Sequence, residues 1–300
     1  MSSKGAVGFA QFYTTMYGAR WPAIKAALLA DKQHVAVINP HSRYVPDTQS
    51  SHLADISFAH ILATHHPAPQ PTDSGLTNYY LLDAASILAV EALNINPGEC
   101  VVDLCAAPGG KSLLCALKLD GRGQLIANDR SSNRRQRITR ILNDYLPPAH
   151  QAIVTVTGHD AMTWSQHQVN YFDKVLLDAP CSSERHVLND AHELATWAQG
   201  RSKSLAIQQF AMLASALEIV RVGGRIVYST CALSHFENDE VIRKLHKKRA
   251  GQFIIHRPTF GFGEPTEYGW QVLPDTSGWG PFYLAVIERT ADGLDHAHGE

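Results

Sequence analysis

Val101-Val102-Asp103-Leu104-Cys105-Ala106-Ala107-Pro108-Gly109-Gly110-Lys111-Ser112 decides how this chain folds. Two β-branched residues run into an acid, small residues follow, and Gly109-Gly110 opens an apolar segment of helical spacing that reaches residue 119. The order is strand, tight turn, helix. Paired glycines let a ligand approach the backbone, and the helix start offers free amides. Two phosphate-binding alternatives fail on spacing. A P-loop needs G-x-x-x-x-G-K-[ST], and although Gly110-Lys111-Ser112 fits its end, Cys105 occupies the first glycine position. The dinucleotide pattern G-x-G-x-x-G is also absent from the turn. Asp129 closes the next strand-like run, where related folds hold ribose hydroxyls, so an adenosine-containing cofactor is favoured.

Beyond this turn the pattern repeats. Apolar strand-like runs at 101–105, 124–128, 153–157, 172–177, 224–228, 253–256 and 283–288 alternate with helix-like stretches, which predicts an α/β fold with a doubly wound, mostly parallel sheet of seven strands. A covering helix is expected over 204–220, ended by Gly223-Gly224. Residues 1–75 read differently, as a small, mainly helical lobe with a helix over 21–29 and a linker containing the Pro- and His-rich stretch 65–71. Residues 76–300 form the catalytic domain in this reading.

Composition narrows the class. The 300 residues are 45% hydrophobic, enough for a large core, and no apolar run reaches the roughly 18 residues of a membrane span. The start lacks the pattern of a signal peptide, so a cytoplasmic protein without membrane association is expected. Five cysteines, odd in number and without a C-x-x-C pair, argue against a disulfide framework and a zinc knuckle, and no metal site is expected. A net charge of −2 offers no global attraction to a polyanion; nucleic-acid binding would rest on local basic surfaces.

Two thiols stand apart from the other three. Cys181, in Asp178-Ala179-Pro180-Cys181, and Cys231, in Ser229-Thr230-Cys231, both follow strand ends inside turn sequences instead of sitting within apolar runs. Packing accounts for Cys100, Cys105 and Cys115, since free cysteine usually acts as a small hydrophobe. Many amino-group methyltransferases carry an acid-Pro-Pro-aromatic turn at the position of Asp178-Ala179-Pro180-Cys181. Sulfur in place of the aromatic favours chemistry on a ring carbon, which needs covalent activation by a thiolate as nitrogen does not. Spacing does not rank the two thiols.

The segments DLCAAPGGK (103–111), LLDAPCSS (176–183), YSTCALSHFENDEVI (228–242) and GWGPFYLAVIER (278–289) resemble the RsmB/RsmF-type (Sun-domain) RNA cytosine-5 methyltransferases. YGARWPAIKAALL (17–29) and NYYLLDAAS (78–86) further resemble the branch containing the mitochondrial small-subunit rRNA methyltransferase. The chain departs from the commoner pattern after Cys181, where Ser-Ser-Glu-Arg-His replaces Ser-Gly-x-Gly, and it lacks the extra RNA-binding domain many relatives append. The resemblance implies a class I S-adenosylmethionine-dependent fold. It places the cofactor on Cys105, Ala106, Ala107, Pro108, Gly109, Gly110 and Lys111, with Asp129 on the ribose, Arg134 nearby, Asp160 towards the adenine and Asp178 between cofactor and base. Cys231 would attack carbon 6 of cytosine, Cys181 would assist loss of the carbon 5 proton and enzyme release, and Asp178 would bond ring nitrogen 3. The implied substrate is RNA, rRNA ahead of tRNA. A monomer is expected, with room for a protein partner in RNA targeting.

For RNA contact, Arg130, Arg134 and Arg137 recur at helical spacing, joined by Arg135 and Arg140. Tyr80, Arg137, Arg140, Arg185 and His186 are the expected contacts, with Tyr79 beside them; Tyr79 and Tyr80 read equally as core. Two other functions remain open on sequence: a transferase acting on another nucleobase or DNA, and a non-catalytic RNA-binding ribosome-assembly factor, against which both retained thiols speak.

Overall fold

The computed structural model describes residues 4–46, 51–53, 56–61 and 67–291. The segment Cys100–Asp103 (β5) forms the centre of the sheet because its side chains alternate between two apolar layers. Val101 enters one core and Val102 the other. Beside β5 lie β6 (Gln124–Asn128) and β7 (Val154–Thr157) on one flank, and β8 (Phe172–Asp178) and β9 (Val220–Thr230) on the other, all parallel. Beyond them, β13 (Phe282–Arg289) runs antiparallel to β9 and carries β10 (Phe253–His256) on its far edge. These seven strands are those expected. A short hairpin of β11 (Glu264–Pro265) and β12 (Trp270–Val272) extends the same edge.

Helices cover both faces, as a parallel sheet requires. On one lie α3 (Ala84–Leu93), α4 (Gly110–Leu119) and α5 (Ser132–Tyr145), capped by Asp83 and Ser131 at α3 and α5. On the other lie α9 (Gly200–Ile219) and α10 (Asp239–Lys248). A short α6 (Pro148–Gln151) precedes β7. Helix α9 gives way to strand earlier than expected: β9 starts at Val220 and contains Gly223-Gly224, the β8–β9 register shifting between Phe172 and Lys174 to take up the extra residues.

The N-terminal part differs more. Helices α1 (Gly5–Tyr17) and α2 (Trp21–Leu29, with Pro22 in its first turn) agree with a helical lobe. The stretch after them does not, because β1 (Val35–Ile38), β2 (Ser51–Leu53), β3 (Ile56–Ile61) and β4 (Tyr79–Leu82) make an antiparallel sheet in the order β2-β3-β1-β4. Short β-branched and aromatic runs such as VAVI and YYLL settle as strands where partners are available; β4 lies across the expected boundary at 75/76. Of the 65–71 linker, 65 and 66 lie outside the described residues, and Pro71 bridges Thr77. Nor does the helical pair stand apart. Phe9, Tyr13, Trp21, Ile24 and Leu28 share one core with Val187 and Trp197 from the stretch after β8, Leu233 from the loop after β9, and Leu273 just past β12. Burying each such side chain contributes about 1.5–3 kcal/mol, so α1 and α2 are part of what fixes those loops.

Candidate active site

Parallel strands end at one side of the sheet, and ligands bind in the crevice beyond them. Here that edge holds Asp103, Asp129, Asp178 and Cys231, at or just past the ends of β5, β6, β8 and β9. Gly109, with φ +122°, turns the chain from β5 into α4. Gly110 has no room for a side chain, since a Cβ would lie 2.6 Å from the Tyr80 ring. The turn is thereby pinned between β4 and the sheet.

Three cavities follow one another along this edge. The first, of about 210 Å³, is lined by Leu104, Cys105, Asp129, Arg134, Asp160 and Met212 among others. Asp129 is buried, accepts the Ser131 amide at 2.9 Å and pairs with Arg134 at 3.2 Å; Arg134 also donates to the Ala107 carbonyl at 2.8 Å. Asp160 pairs with Arg130 at 3.4 Å across the mouth. The second cavity shares Cys105 and adds Ala106, Ala107, Pro108, Gly110, Lys111 and Asp178. Behind it stands Asp103, fully buried: its Oδ2 accepts from Ser112 at 2.7 Å, while Oδ1 has no hydrogen-bond partner among the described residues. Burial pushes this carboxyl up to about 7. A buried acid with an empty acceptor fits a cationic ligand group, which would restore its charge.

The third cavity, about 230 Å³, shares Lys111 and Asp178 and is walled by Cys231, Arg185, Asp83, Lys32 and Phe282. Asp178 is held at both oxygens, by Lys111 Nζ and by Ser229 Oγ, each at 2.8 Å. Burial alone would lower the Lys111 pKa, but the neighbouring Asp178 outweighs it and the ammonium is favoured. Cys231 is exposed to this cavity and Cys181 lies behind it, their sulfurs 3.0 Å apart. Either sulfur can donate in this contact; it pulls the Cys231 pKa down and pushes that of Cys181 up. Cys105 is different: desolvation drives its pKa far up, and it contacts Met212 Sδ at 4.0 Å, a packing thiol in a cofactor wall.

The expected RNA residues are scattered. Arg137 and Arg140 lie on the exposed face of α5; Arg140 pairs with Asp144 at 3.6 Å, and Arg137 has no partner among the described residues. Arg130 precedes the helix, so the stripe is shorter than its spacing suggests. His186 is exposed. Arg185 is already engaged, donating to the carbonyls of Leu28, Ala30 and Gly280, and so ties α2 to the segment before β13 at the cavity wall. Tyr80 packs on Gly110 and edge-on against Tyr145. Tyr79 is core, its hydroxyl on the Pro67 carbonyl at 2.7 Å.

Two site residues had no visible sequence signal. Glu184 and Glu237 are fully buried beside the thiols, and Glu184 accepts from Tyr13, 171 residues away in the chain.

Comparison with known proteins agrees with this geometry. The profile of the family described as 16S rRNA methyltransferase RsmB/F matches residues 90–288. The 5-cytosine rRNA methyltransferase NSUN4 of Bos taurus is 31% identical over 94% of this chain and 87% of its own length. A mitochondrial tRNA (cytosine(34)-C(5))-methyltransferase of Danio rerio is 38% identical over 75% of this chain and 66% of its own. Among solved structures, a methyltransferase homolog protein from Pyrococcus horikoshii superposes with a TM-score of 0.76 at 23% identity, covering 94% of each chain, and shows the same fold. The matched profile and the rRNA methyltransferase relative that spans nearly the whole sequence place this chain in the RsmB/F family of 16S rRNA methyltransferases.

Proposed function

We propose that this protein transfers a methyl group from S-adenosylmethionine to carbon 5 of a cytosine in RNA, with ribosomal RNA as the substrate. The observation that carries this reading is the 3.0 Å Cys181–Cys231 contact at a cavity that shares Lys111 and Asp178 with the second, which in turn shares Cys105 with the Asp129 cleft. The first two cavities suit the cofactor: Asp129 and Asp160 the adenosine, the orphaned Asp103 oxygen its ammonium. When bound there it supplies an electrophilic methyl.

The chain's own residues do the rest. Cys231 thiolate adds to carbon 6, and the electrons of the carbon 5–carbon 6 double bond become available at carbon 5. Asp178, fixed by Lys111 and Ser229, accepts from the exocyclic amino group and so orients the base, while the Lys111 ammonium beside it offsets the negative charge that addition develops on the ring. Once carbon 5 carries the methyl, Cys181 assists removal of its proton; those electrons restore the double bond and expel the Cys231 sulfur as thiolate. The target base must be unpaired or extruded to enter the cavity.

The test is to incubate the protein with methyl-labelled S-adenosylmethionine and either small-subunit rRNA or tRNA, digest to nucleosides and separate them. Label in 5-methylcytidine from rRNA is expected. Label from tRNA alone would favour the second reading, which the similarity to the tRNA enzyme of Danio rerio supports. Label in neither would favour a non-catalytic RNA-binding factor.

RNA is proposed to cross α5. Replacing Arg137 and Arg140 with Gln removes two exposed charges that hold nothing in the fold beyond the Arg140–Asp144 pair. RNA affinity should fall, and the slope of log K against log salt should flatten by about 0.7–0.9 per lost phosphate contact. Cofactor affinity should stay at the wild-type value. An identical slope would make the stripe an ordinary solvated face.

A further inference from the structure

We propose that Glu184 and Glu237 form a reciprocal clamp that sets the spacing of the two thiols, acting as positioning residues. Each carboxylate starts in one thiol-bearing loop and ends on the other. Glu184, three residues after Cys181, accepts the Leu233 amide at 2.8 Å, two residues past Cys231. Glu237, six residues after Cys231, accepts the Ser182 amide at 2.9 Å, the residue next to Cys181. Supporting donors fix both acids. Ser182 Oγ at 2.6 Å and the Tyr13 hydroxyl bond Glu184; Gln209, which also holds the Pro180 carbonyl, bonds Glu237 at 3.0 Å.

A stability role alone does not explain the choice of residue. Two buried carboxylates cost desolvation, burial and the neighbouring Glu184 raise the Glu237 pKa, and Glu237 Oε1 has no partner among the described residues. Glu184 opposes thiolate formation at both sulfurs by charge, and Glu237 at Cys181. What they supply is geometry. A carboxylate accepts several N–H and O–H donors at once, short and directional, and cross-linking two loops this way fixes their separation more tightly than apolar packing would. The controlled quantity is the sulfur–sulfur contact, and with it the hydrogen bond that lowers the Cys231 pKa.

This role rests on the assignment of both thiols to the reaction, but its test needs no RNA. The rate of Cys231 alkylation by iodoacetamide is followed against pH, with the modified peptide identified by mass spectrometry, in wild type, Glu184→Gln and Glu237→Met, the second of which removes the acceptor at similar size. The groups facing the thiols are Lys111 on α4, Asp178 on β8, Ser183, Glu184 and Glu237 in the loops, and Tyr13 behind Glu184. If the clamp holds the thiols together, its loss breaks the Cys181–Cys231 hydrogen bond, the alkylation limb moves to higher pH, and the rate at pH 7 falls at least about threefold. If the acids act only by charge, removing one moves the limb to lower pH. A shift down or no shift overturns the clamp. Should either variant fail to fold, Tyr13→Phe keeps the carboxylate and loses one donor, and the same upward shift, smaller, is expected; no shift there overturns it too. Clamp variants should also lose methyl transfer. An upward shift with no methylation by wild type would leave the clamp standing and remove the proposed reaction.

Discussion

Cys231→Ala is expected to lose methyl transfer by on the order of 10⁴-fold or more, and to form no covalent adduct with RNA. Carbon 5 of cytosine is not nucleophilic until a group has added at carbon 6, so the thiolate is not one contribution among several. It gates the step. Three observations support this proposed place for Cys231: it is the exposed thiol of the pair, it faces the cavity that holds Asp178, and the contact with Cys181 at 3.0 Å lowers its pKa. The nearby Lys111 ammonium adds attraction. Cys231 does not line the Asp129 cleft, so S-adenosylmethionine affinity, read by calorimetry, should be unchanged. Retained methylation in this variant, with loss in Cys181→Ala, would reverse the roles.

The fold was legible because its signals are local. All seven expected strands form, since each is a short apolar run between turn residues, and α4 begins at Gly110 as the paired glycines require. The first misreading was of the same kind. With α1 and α2 present, the following short runs read as more helical lobe, whereas pairing of β1 with β3 and β4 decided them, and pairing is not a local property.

The site divides likewise. Residues at strand ends, such as Asp129, Asp178 and the two cysteines, could be placed in one crevice from topology alone. Glu184 and Glu237 could not. Each reads as an ordinary charged residue near a helix start, and only folding shows that Glu184 meets Tyr13 and Leu233, or that Glu237 meets Ser182 and Gln209. Arg185 carries a second role that its charge did not show: it walls the third cavity and also donates to three carbonyls that hold α2 to the segment before β13.

Cys181→Ala is expected to do something no other substitution should: trap the enzyme on its substrate. Cys231 stays in place, loses its hydrogen-bond donor and so ionises at somewhat higher pH, yet can still attack. The coupling explains why Cys181 acts second. While Cys231 is a thiolate, Cys181 holds its proton firmly, the hydrogen bond to that sulfur being the first cause of its raised pKa. Once the Cys231 sulfur is bonded to carbon 6 it carries no charge, that cause disappears, and Cys181 becomes easier to deprotonate when a base is needed at carbon 5. Without it the methylated adduct persists. With ordinary cytosine RNA and S-adenosylmethionine, a protein–RNA band that survives denaturing gels should accumulate in Cys181→Ala, be absent from Cys231→Ala, and be absent from the double variant. The band should approach one RNA per protein and grow as turnover stops. A stable band in Cys231→Ala instead would exchange the two roles, and full turnover by both single variants would end the case for covalent catalysis at this pair.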